Sequence, residues 1–330
     1  MRLRHTLLTL TLLSATALTL SSCHHKDLEY ATPVADVVVV FDWRDAPDAD
    51  PSSMGLYLYD TDDNSSIRYI FDNKNGGPLH APLGQYSALC INSDNTDWAR
   101  VTDTDDIDGF EILTHDVSML TGQSLQTYAL PRAAGTETER MVATPGMLWG
   151  SRLDNIDLIY HEGTTTVTLY PEELICRYTV TVLDVENLEY ARGASIDATL
   201  SGMAQGYMLG LMRPSNTAVT MPFSLAAPKS GESLNASFLT FGVTPTRSLS
   251  HILTIYVILA DGTKWYYTFD VTDQVNEAPD PRHVDIIVRG ISLPTPISGG
   301  SGFIPDVNDW QAVDVDLDMH TGQDSDNDSK

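Results

Sequence analysis

Basic side chains are scarce in this chain. Of its 330 residues 19 are lysine or arginine, against 45 aspartates and glutamates, and the formal net charge is −26. Nucleic acids and anionic lipid surfaces bind proteins through clustered basic side chains, so both are disfavoured as partners. A generally solvated acidic surface explains the excess of carboxylates, and a divalent cation or a basic partner is the alternative reading.

Cysteine is also scarce, with three residues in the whole chain. Cys90 and Cys176 lie in different halves, each inside an apolar alternating run. Each is therefore predicted to be a buried small hydrophobic residue rather than half of a disulfide. An exported protein permits a disulfide, so that alternative stays open.

Cys23 stands at the end of an export signal. Arg2 and Arg4 precede an apolar stretch, Leu7–Leu20, that is too short to span a bilayer and matches a secretory leader. Leu20-Ser21-Ser22-Cys23 matches the lipobox of bacterial lipoproteins. Residues 1–22 are thus predicted to be a signal peptide and Cys23 the acylated first residue of the mature chain. An ordinary signal peptide that happens to contain a cysteine is the alternative.

The residues after Cys23 predict where the protein resides. Acyl chains contribute about 0.8 kcal/mol per buried methylene, so two or three of them hold a domain at a membrane. Residues 23–33 are predicted to be a lipid-anchored linker, and Lys26-Asp27-Leu28-Glu29 within it resembles the surface-export signal of Bacteroidetes lipoproteins. The predicted location is the outer membrane, facing outward. A plain solvated linker is the other interpretation.

Helical periodicity is nearly absent, and Asp116–Leu120 is the one segment that predicts a single helical turn. Almost every other periodic segment alternates with period two and is bounded by turn residues. The fold is predicted to be all-β, with two tandem antiparallel β-sandwiches. The predicted strands are Val37–Trp43, Gly55–Tyr59, Ile67–Phe71, Tyr86–Ile91, Phe110–Leu113, Ile156–Tyr160, Thr165–Tyr170, Ile175–Val185, Ser195–Met203, Ser237–Val243, His251–Leu259, Lys264–Val271 and His283–Val288.

Turn signals separate these strands at Asn75–Pro78, at Pro82–Gly84 and at Asp261-Gly262, which is the clearest hairpin. After signal cleavage the chain is longer than one core usually holds, so two domains are expected. The pattern breaks near His161–Thr164. The prediction is an N-terminal sandwich over residues 34–162, a C-terminal sandwich over residues 163–320 and a disordered acidic tail over residues 321–330.

The C-terminal region contains a strand with one acidic face. Val313, Val315, Leu317 and Met319 alternate with three aspartates and a histidine. Carboxylates along one side of an edge strand oppose unwanted pairing with another sheet, so a protected final strand is predicted. The alternative is a strand that inserts into another subunit.

Motifs of catalysis are lacking as well. No G-x-S-x-G and no HExxH occurs, and five histidines are scattered singly: His80, His115, His161, His251 and His283. A triad can assemble through the fold from distant residues, so spacing alone does not exclude one. The sequence nevertheless predicts a protein that is not an enzyme, with no catalytic residues and no cofactor.

Two acidic loops are the best metal candidates, Asp60–Asn64 and Asp103–Gly109. Oxygen ligands at alternating positions suit Ca²⁺, and a glycine permits the sharp turn. Alignment of the second loop by Gly109 puts Thr104 at the first ligand position and His115 at the twelfth, so an EF-hand is rejected. No metal site is assigned, and a loop-stabilising Ca²⁺ stays open.

Aromatic side chains suggest either a core or a carbohydrate-binding surface, and the core is favoured in sandwiches of this size. Adjacent Tyr266 and Tyr267 must face opposite sides of their strand. The aromatic residues concerned are Trp43, Tyr57, Tyr59, Trp98, Trp149, Trp265, Tyr266 and Tyr267.

Several segments together resemble the fimbrium-associated anchor lipoproteins of Bacteroidales, and especially a branch known only as a domain of unknown function. The matching segments run almost end to end: Lys26-Asp27-Leu28 after the cysteine, Phe41-Asp42-Trp43, Met54–Tyr59, Leu200–Ala204, Thr240–Gly242, Phe269–Val275 and Gly299–Phe303 before Trp310.

This resemblance implies two transthyretin-like β-sandwiches and a role in fimbriae as an anchor, length-limiting or accessory subunit. It also implies fimbrillin-like partners, which would bind by adding a strand to an incomplete sheet. No Arg-flanked pro-segment is visible between Cys23 and the first strand, which favours an anchor over a processed shaft subunit. A surface glycan-binding lipoprotein for polysaccharide uptake is the alternative function.

Overall fold

The computed structural model describes residues 33–95, 97–117, 130–192, 195–227, 233–246, 249–295 and 310–315. Cys23, the predicted signal peptide, most of the linker and the tail lie outside the described residues. So does the end of the predicted helical turn at Asp116–Leu120. The described chain is almost entirely β-structure, which confirms the predicted fold class.

The strands follow one another closely. In chain order the first eleven are β1 (Val34–Phe41), β2 (Met54–Asp60), β3 (Ser66–Phe71), β4 (Gly76–Pro82), β5 (Gly84–Asn92), β6 (Arg100–Thr102), β7 (Glu111–Leu113), β8 (Arg140–Met141), β9 (Trp149–Leu158), β10 (Thr165–Leu169) and β11 (Glu172–Glu173). The rest are β12 (Cys176–Leu183), β13 (Ser195–Ala204), β14 (Gly206–Met208), β15 (Arg213–Pro214), β16 (Ala218–Ala226), β17 (Ser233–Thr240), β18 (Ile252–Ile258), β19 (Lys264–Asp270), the helix α1 (Thr272–Asn276), β20 (His283–Arg289) and β21 (Trp310–Asp314).

One strand order occurs twice. In the first half β10-β1-β4 forms one sheet and β9-β5-β2-β3 forms the other, which β11 extends beside β9. In the second half β20-β12-β17 corresponds to the first sheet and β19-β18-β13-β16 to the second, extended by β21 beside β19. The two tandem sandwiches are thereby confirmed, and each has the same connections.

The sandwiches are not wholly antiparallel. β1 pairs with β10 in parallel, and β12 pairs with β20 in parallel over seven residue pairs. In each unit the last strand of the repeated order runs beside the first strand, and both run in the same direction. The remaining neighbours within the repeated order are antiparallel.

Each sandwich has its own apolar core, built by period-two alternation. The first core contains Val37, Val39 and Phe41 of β1 facing Leu56 and Leu58 of β2. The second is larger and draws inward-facing residues from seven strands and from α1. Successive side chains of a strand point to opposite faces, so alternate residues of each strand can lie in one core.

A third apolar cluster joins the two sandwiches. Tyr57 and Tyr59 of β2 point away from the first core and pack with Phe110, Tyr207 and Phe241, which come from both halves of the chain. Beside them lies a small sheet in the order β15-β14-β7-β6, whose strands likewise come from both halves. We call the buried residues of this third apolar cluster the shared cluster.

The division between the units is still a prediction. The expected boundary fell near His161–Thr164, yet β10, the strand immediately after it, pairs with β1 over five residues. We therefore propose that the first unit extends through Leu169. The short β11 then leads directly into β12, the first strand of the second unit.

Two predicted turns overlap a strand. Gly76 to Pro82 form β4, although the sequence predicts turns at Asn75–Pro78 and Pro82–Gly84. Proline and glycine are tolerated there because β4 is the last strand of its sheet, so one side of its backbone needs no ladder partner. The Asp261-Gly262 hairpin is confirmed, with Gly262 at φ +88° between β18 and β19.

The predicted C-terminal strand begins earlier than expected. β21 starts at Trp310 and runs parallel to β19 at the edge of the second sandwich. Val313 and Val315 pack against the second core. This agrees with a final edge strand, while Leu317 and Met319 lie outside the described residues.

Candidate functional site

The edges of the sheets differ between the two sandwiches. β3 ends the five-stranded sheet of the first unit, and no strand within the described part of the chain pairs with its outer edge. The equivalent strand of the second unit, β16, is paired with β8 through Val219 with Arg140 and Thr220 with Met141. The outer edge of β3 is thus open, whereas its counterpart is paired near the start of the strand.

The covering segment comes from the first half of the chain. Residues 130–142, which we call the strap, lie along the second sandwich and contain β8. The Glu139 carboxylate accepts hydrogen bonds from the Gly202 N–H at 3.1 Å and from the Thr220 hydroxyl at 2.8 Å. The Tyr256 hydroxyl donates to the Pro131 carbonyl at 2.8 Å. The strap is therefore held by specific polar contacts.

A side-chain amide covers a second edge. The Gln274 amide nitrogen of α1 donates to the Ile287 carbonyl at 3.0 Å, and its oxygen accepts from the Ile287 N–H at 2.7 Å. Ile287 lies on β20, which ends the β20-β12-β17 sheet; this sheet is joined to the rest of the second unit through the pairing of Ala226 on β16 with Asn235 on β17. Gln274 thus occupies hydrogen-bonding positions that another strand would need.

The open edge at β3 carries apolar side chains. Phe71 is buried, Tyr69 is half-buried and its hydroxyl donates to the His80 carbonyl at 2.9 Å. Ile70 is 55% exposed, and the Arg68 guanidinium lies 5.4 Å from the centre of the Tyr57 ring. An added strand would meet apolar groups on both faces of this edge.

A cavity of about 820 Å³ lies between the strap, β19 and α1. Its lining includes Arg132, Glu137, Tyr266, Asp270 and Asp273. The Arg132 Nη1 atom is buried and has no hydrogen-bond partner among the described residues. Carboxylates outnumber the single guanidinium here, so the lining favours neither an anion nor a purely apolar ligand.

The five histidines that lie scattered along the sequence are not brought together in the described part of the structure. His80 pairs with Asp36 at 2.7 Å and His283 with Asp280 at 2.8 Å, both at exposed positions. His251 is buried against the Ser201 carbonyl, and burial lowers its pKa. Across the described residues no group of three histidine, cysteine or carboxylate side chains is placed to hold a metal ion.

The two acidic loops lie near each other. The Tyr59 hydroxyl, at the end of β2, donates to the Thr104 carbonyl at 2.8 Å, and the Ser66 hydroxyl lies 3.5 Å from an Asp105 oxygen. Apart from the half-buried Asp60, their carboxylates are exposed, and together they form an acidic corner of the first sandwich. A loop-stabilising Ca²⁺ stays an untested prediction.

Cys90 and Cys176 are both free. Burial raises the pKa of the Cys90 thiol to about 12 and that of the Cys176 thiol to about 11. A thiolate is the reactive form, so both thiols are inert at neutral pH. Neither supplies a nucleophile, and Cys23 lies outside the described residues.

The eight aromatic residues singled out in the sequence lie in, or partly in, the protein interior. Tyr57, Tyr59 and Tyr267 are buried, and the other five of the eight predicted aromatic residues are half-buried. Tyr267 lies in the second core while Tyr266 packs on the opposite face with Tyr256, as the sequence predicted. Trp43 and Trp149 meet edge to face at 6.5 Å. This placement favours the core over a flat sugar platform.

Among the described residues, no helix is both long enough and apolar enough to cross a membrane.

Comparison with known proteins gives relatives whose names refer to fimbriae or to adhesion. A Bacteroides ovatus protein provisionally named as the fimbrium anchoring subunit Fim4B is 23% identical over 278 residues, which is 79% of this chain and 78% of that protein. A Bacteroides ovatus crystal structure provisionally described as an adhesin has a TM-score of 0.60 at 22% identity, with 84% of this chain and 99% of that one covered. The fimbrial anchor protein Mfa2 of Porphyromonas gingivalis has a TM-score of 0.46 at 12% identity, over 78% of this chain and 89% of that one.

A family model also matches the chain. It covers residues 22–224, which is more than half of the sequence and includes the whole first sandwich and the shared cluster up to Leu209. The likeness to the adhesin structure supports the tandem-sandwich fold. The chain therefore belongs to the family described as a domain of unknown function, DUF5119.

Proposed function

We propose that this protein is a non-enzymatic outer-membrane lipoprotein, acylated at Cys23, that anchors or helps to assemble a fimbrium. The observation that carries the proposal is the open outer edge of β3, since the equivalent edge of the second sandwich is paired with β8 at Val219 and Thr220. The name of the Bacteroides ovatus relative, a fimbrium anchoring subunit, supports the same role.

A fimbrial subunit would bind by adding a strand to β3. In this mode main-chain hydrogen bonds supply affinity, and the side chains that alternate along the added strand set the register. The exposed Ile70 and the half-buried Tyr69 offer apolar contacts on the two faces. The acidic loop Asp60–Asn64, directly before β3, favours a partner strand flanked by basic residues.

The second sandwich would act as a support rather than as an acceptor. Within the described residues, β8 pairs with Val219 and Thr220 of β16, Gln274 occupies the backbone positions of Ile287 on β20, and β21 is the strand at the other end of the sheet. Covered edges resist unwanted pairing with other chains. The first unit, which is nearer to the predicted lipid, would thus bind the partner, and the second unit would support it.

The test is a pull-down of fimbrial subunits from cells that produce Ile70→Lys. A charge placed on the open edge should block strand addition, so recovery of the subunits is expected to fall at least tenfold. Ile287→Lys is the matched control, because Ile287 is 47% exposed but lies on an edge that Gln274 already covers. Both variants should melt like the wild type, since exposed substitutions usually change stability by less than about 0.5 kcal/mol.

Equal recovery with both variants would rule out β3 as the acceptor. Retention of the wild-type protein on polysaccharide, together with unchanged fimbriae after gene deletion, would instead favour the glycan-binding alternative. Mass spectrometry of the mature N-terminus tests the lipid separately, and an unmodified Cys23 would refute the anchoring part of the proposal.

A further inference from the structure

One end of the first sandwich gathers four chain segments. The start of β1 lies there because Val34 pairs with Pro82, the last residue of β4. β5 begins there too, with Gly84 opposite Leu158, the last residue of β9. The β9–β10 loop, residues 159–164, connects at the same end because Thr165 pairs with Val37 near the start of β1. We call this end the distal tip.

The distal tip exposes apolar side chains that the core does not need. Leu158 completes the first core, and the two residues after it point to solvent: Ile159 is 58% exposed and Tyr160 is 75% exposed. Val34, at the neighbouring strand start, is 46% exposed. Seven large hydrophobic residues are exposed among the described residues, and three of these seven lie at the distal tip.

The loop has a defined shape. The His161 Nε2 atom lies 2.8 Å from the Thr165 hydroxyl, and Gly163 has φ +124°, a backbone conformation that favours glycine. The loop is therefore a short, closed connection that presents Ile159 and Tyr160 together. Exposed apolar neighbours in a fixed loop indicate a contact surface.

The covalent chain indicates what that surface contacts. The ten residue steps from Cys23 to Pro33 reach at most about 35 Å, even when fully extended. The distal tip thus lies within that distance of any acyl chain on Cys23. The opposite end of the same sandwich is the end at which β10 leads through β11 into the second unit, so it faces away from the chain start.

We propose that Ile159 and Tyr160 insert into the headgroup layer of the bilayer beside the lipid anchor, with Val34 at the margin of the contact. This inference rests on the proposed acylation of Cys23. Tyrosine suits the site because its ring is apolar and its hydroxyl stays hydrated at the membrane interface. The contact would orient the first sandwich with its distal tip toward the membrane and with the end that leads into the second unit away from it.

The charges around the loop select the headgroup. Asp157 and Glu162 flank the two apolar residues and are exposed. The acidic loop Asp60–Asn64 lies at the same end, since Asp60 pairs with Tyr86 near the start of β5. Carboxylates are repelled by anionic lipids, so the surface fits zwitterionic headgroups such as phosphatidylethanolamine and phosphatidylcholine.

The experiment uses the full acylated protein, reconstituted into phosphatidylethanolamine and phosphatidylcholine vesicles, with a spin label on Tyr160→Cys. The label should react selectively, because Cys90 is buried, Cys176 is half-buried, and burial raises the pKa of both thiols. Collisions of the label with oxygen and with a water-soluble nickel complex report its depth. Oxygen is expected to dominate at position 160, and added phosphatidylglycerol is expected to reduce that preference.

Tyr170→Cys is the matched control. Tyr170 is 41% exposed and follows β10 at the opposite end of the same strand, so its label should collide mainly with nickel. A label at position 160 that stays in water on acylated protein would overturn the membrane contact and leave the anchor role intact. Protection that appears only when a fimbrial subunit is added, or insertion that increases with phosphatidylglycerol, would also overturn it. Absence of the acyl group would instead refute the proposed function itself.

Discussion

The two sandwiches share one strand order, yet the outer faces of their larger sheets are covered by different chemistry. In the first unit that face carries Tyr57, Tyr59, Leu89 and Ile91, which pack into the shared cluster. In the second unit it carries polar residues that are buried as deeply, among them Asp197, Thr199, Ser201, Thr220 and Thr254. The same topology is thus completed in the first unit by apolar contact, and in the second by hydrogen bonding together with a small apolar cluster in which Leu130 and Met141 of the strap pack on Tyr256 and Ile258.

This difference has a physical consequence. Apolar burial is non-directional, so the shared cluster can join surfaces from both units without exact geometry. A buried polar face is costly unless each group finds a partner, so the strap must bind in one register. We expect the shared cluster to contribute more to stability and the strap to contribute more to specificity.

Phe110→Ala is expected to have the largest effect. Phe110 is fully buried and packs edge to face on Tyr57 at 4.9 Å. Its truncation should lower the free energy of unfolding by about 3–5 kcal/mol and loosen the junction of the units. Calorimetry should then resolve two transitions, while the exposed-site control Ile287→Ala should keep the wild-type profile. An unchanged single transition would mean that the shared cluster does not couple the units.

Glu139→Ala tests the polar counterpart. Its removal leaves the Gly202 N–H and the Thr220 hydroxyl without their acceptor. A loss of about 2 kcal/mol in urea denaturation is expected, together with faster tryptic cleavage of the strap at Arg132 and Arg140. Glu137→Ala is the control, because Glu137 is exposed and its carboxylate accepts a local hydrogen bond from the Gly135 N–H; it should cost less than about 0.5 kcal/mol. Equal effects of the two variants would contradict a specific role for Glu139.

Asp197→Asn is expected to have the smallest effect, and a stabilising one. Burial raises the pKa of the Asp197 carboxyl, while the Ser224 hydroxyl donates to it at 3.0 Å. The carboxyl therefore has a higher pKa in the folded protein than in the unfolded chain, where it is 3.8. Such a group stabilises the fold fully at pH values below the unfolded pKa, and this stabilisation is lost as the pH rises through the folded pKa. Replacing the Asp197 carboxyl by the asparagine amide should therefore raise the free energy of unfolding near neutral pH by about 1 kcal/mol, and it should have little effect below pH 3.8.

Urea denaturation of both forms across that pH range measures the effect. Ser224→Ala serves as the comparison, because it removes the donor and leaves the carboxyl. It should destabilise the protein where Asp197→Asn stabilises it. A variant Asp197→Asn that is less stable at neutral pH would show that the charged carboxylate is favoured in place.

Much of the candidate site was visible in the sequence as strands, but not as edges. The strand at Ile67–Phe71 was predicted, whereas its position at the end of a sheet depends on which other strands pair with it. Ile159 and Tyr160 were assigned to a strand that the structure ends at Leu158. The strap was missed because β8 has two residues and no alternation of its own.

The sequence carries one signal for the shared cluster. Met54 to Tyr59 form a continuous apolar run, which indicates a strand buried on both faces rather than one face only. The structure places alternate residues of that run in two different clusters.

The sequence by itself determined the all-β class, the positions of most long strands and the hairpin at Asp261-Gly262, because period-two alternation and turn chemistry are local properties. Tertiary structure alone decided the repeated strand order, the sheet shared by both halves, and which edges are covered. Those features depend on pairing between residues far apart in the chain, as in β8 with β16. Local patterns do not encode such partners, since any strand presents the same backbone groups to each of its neighbours.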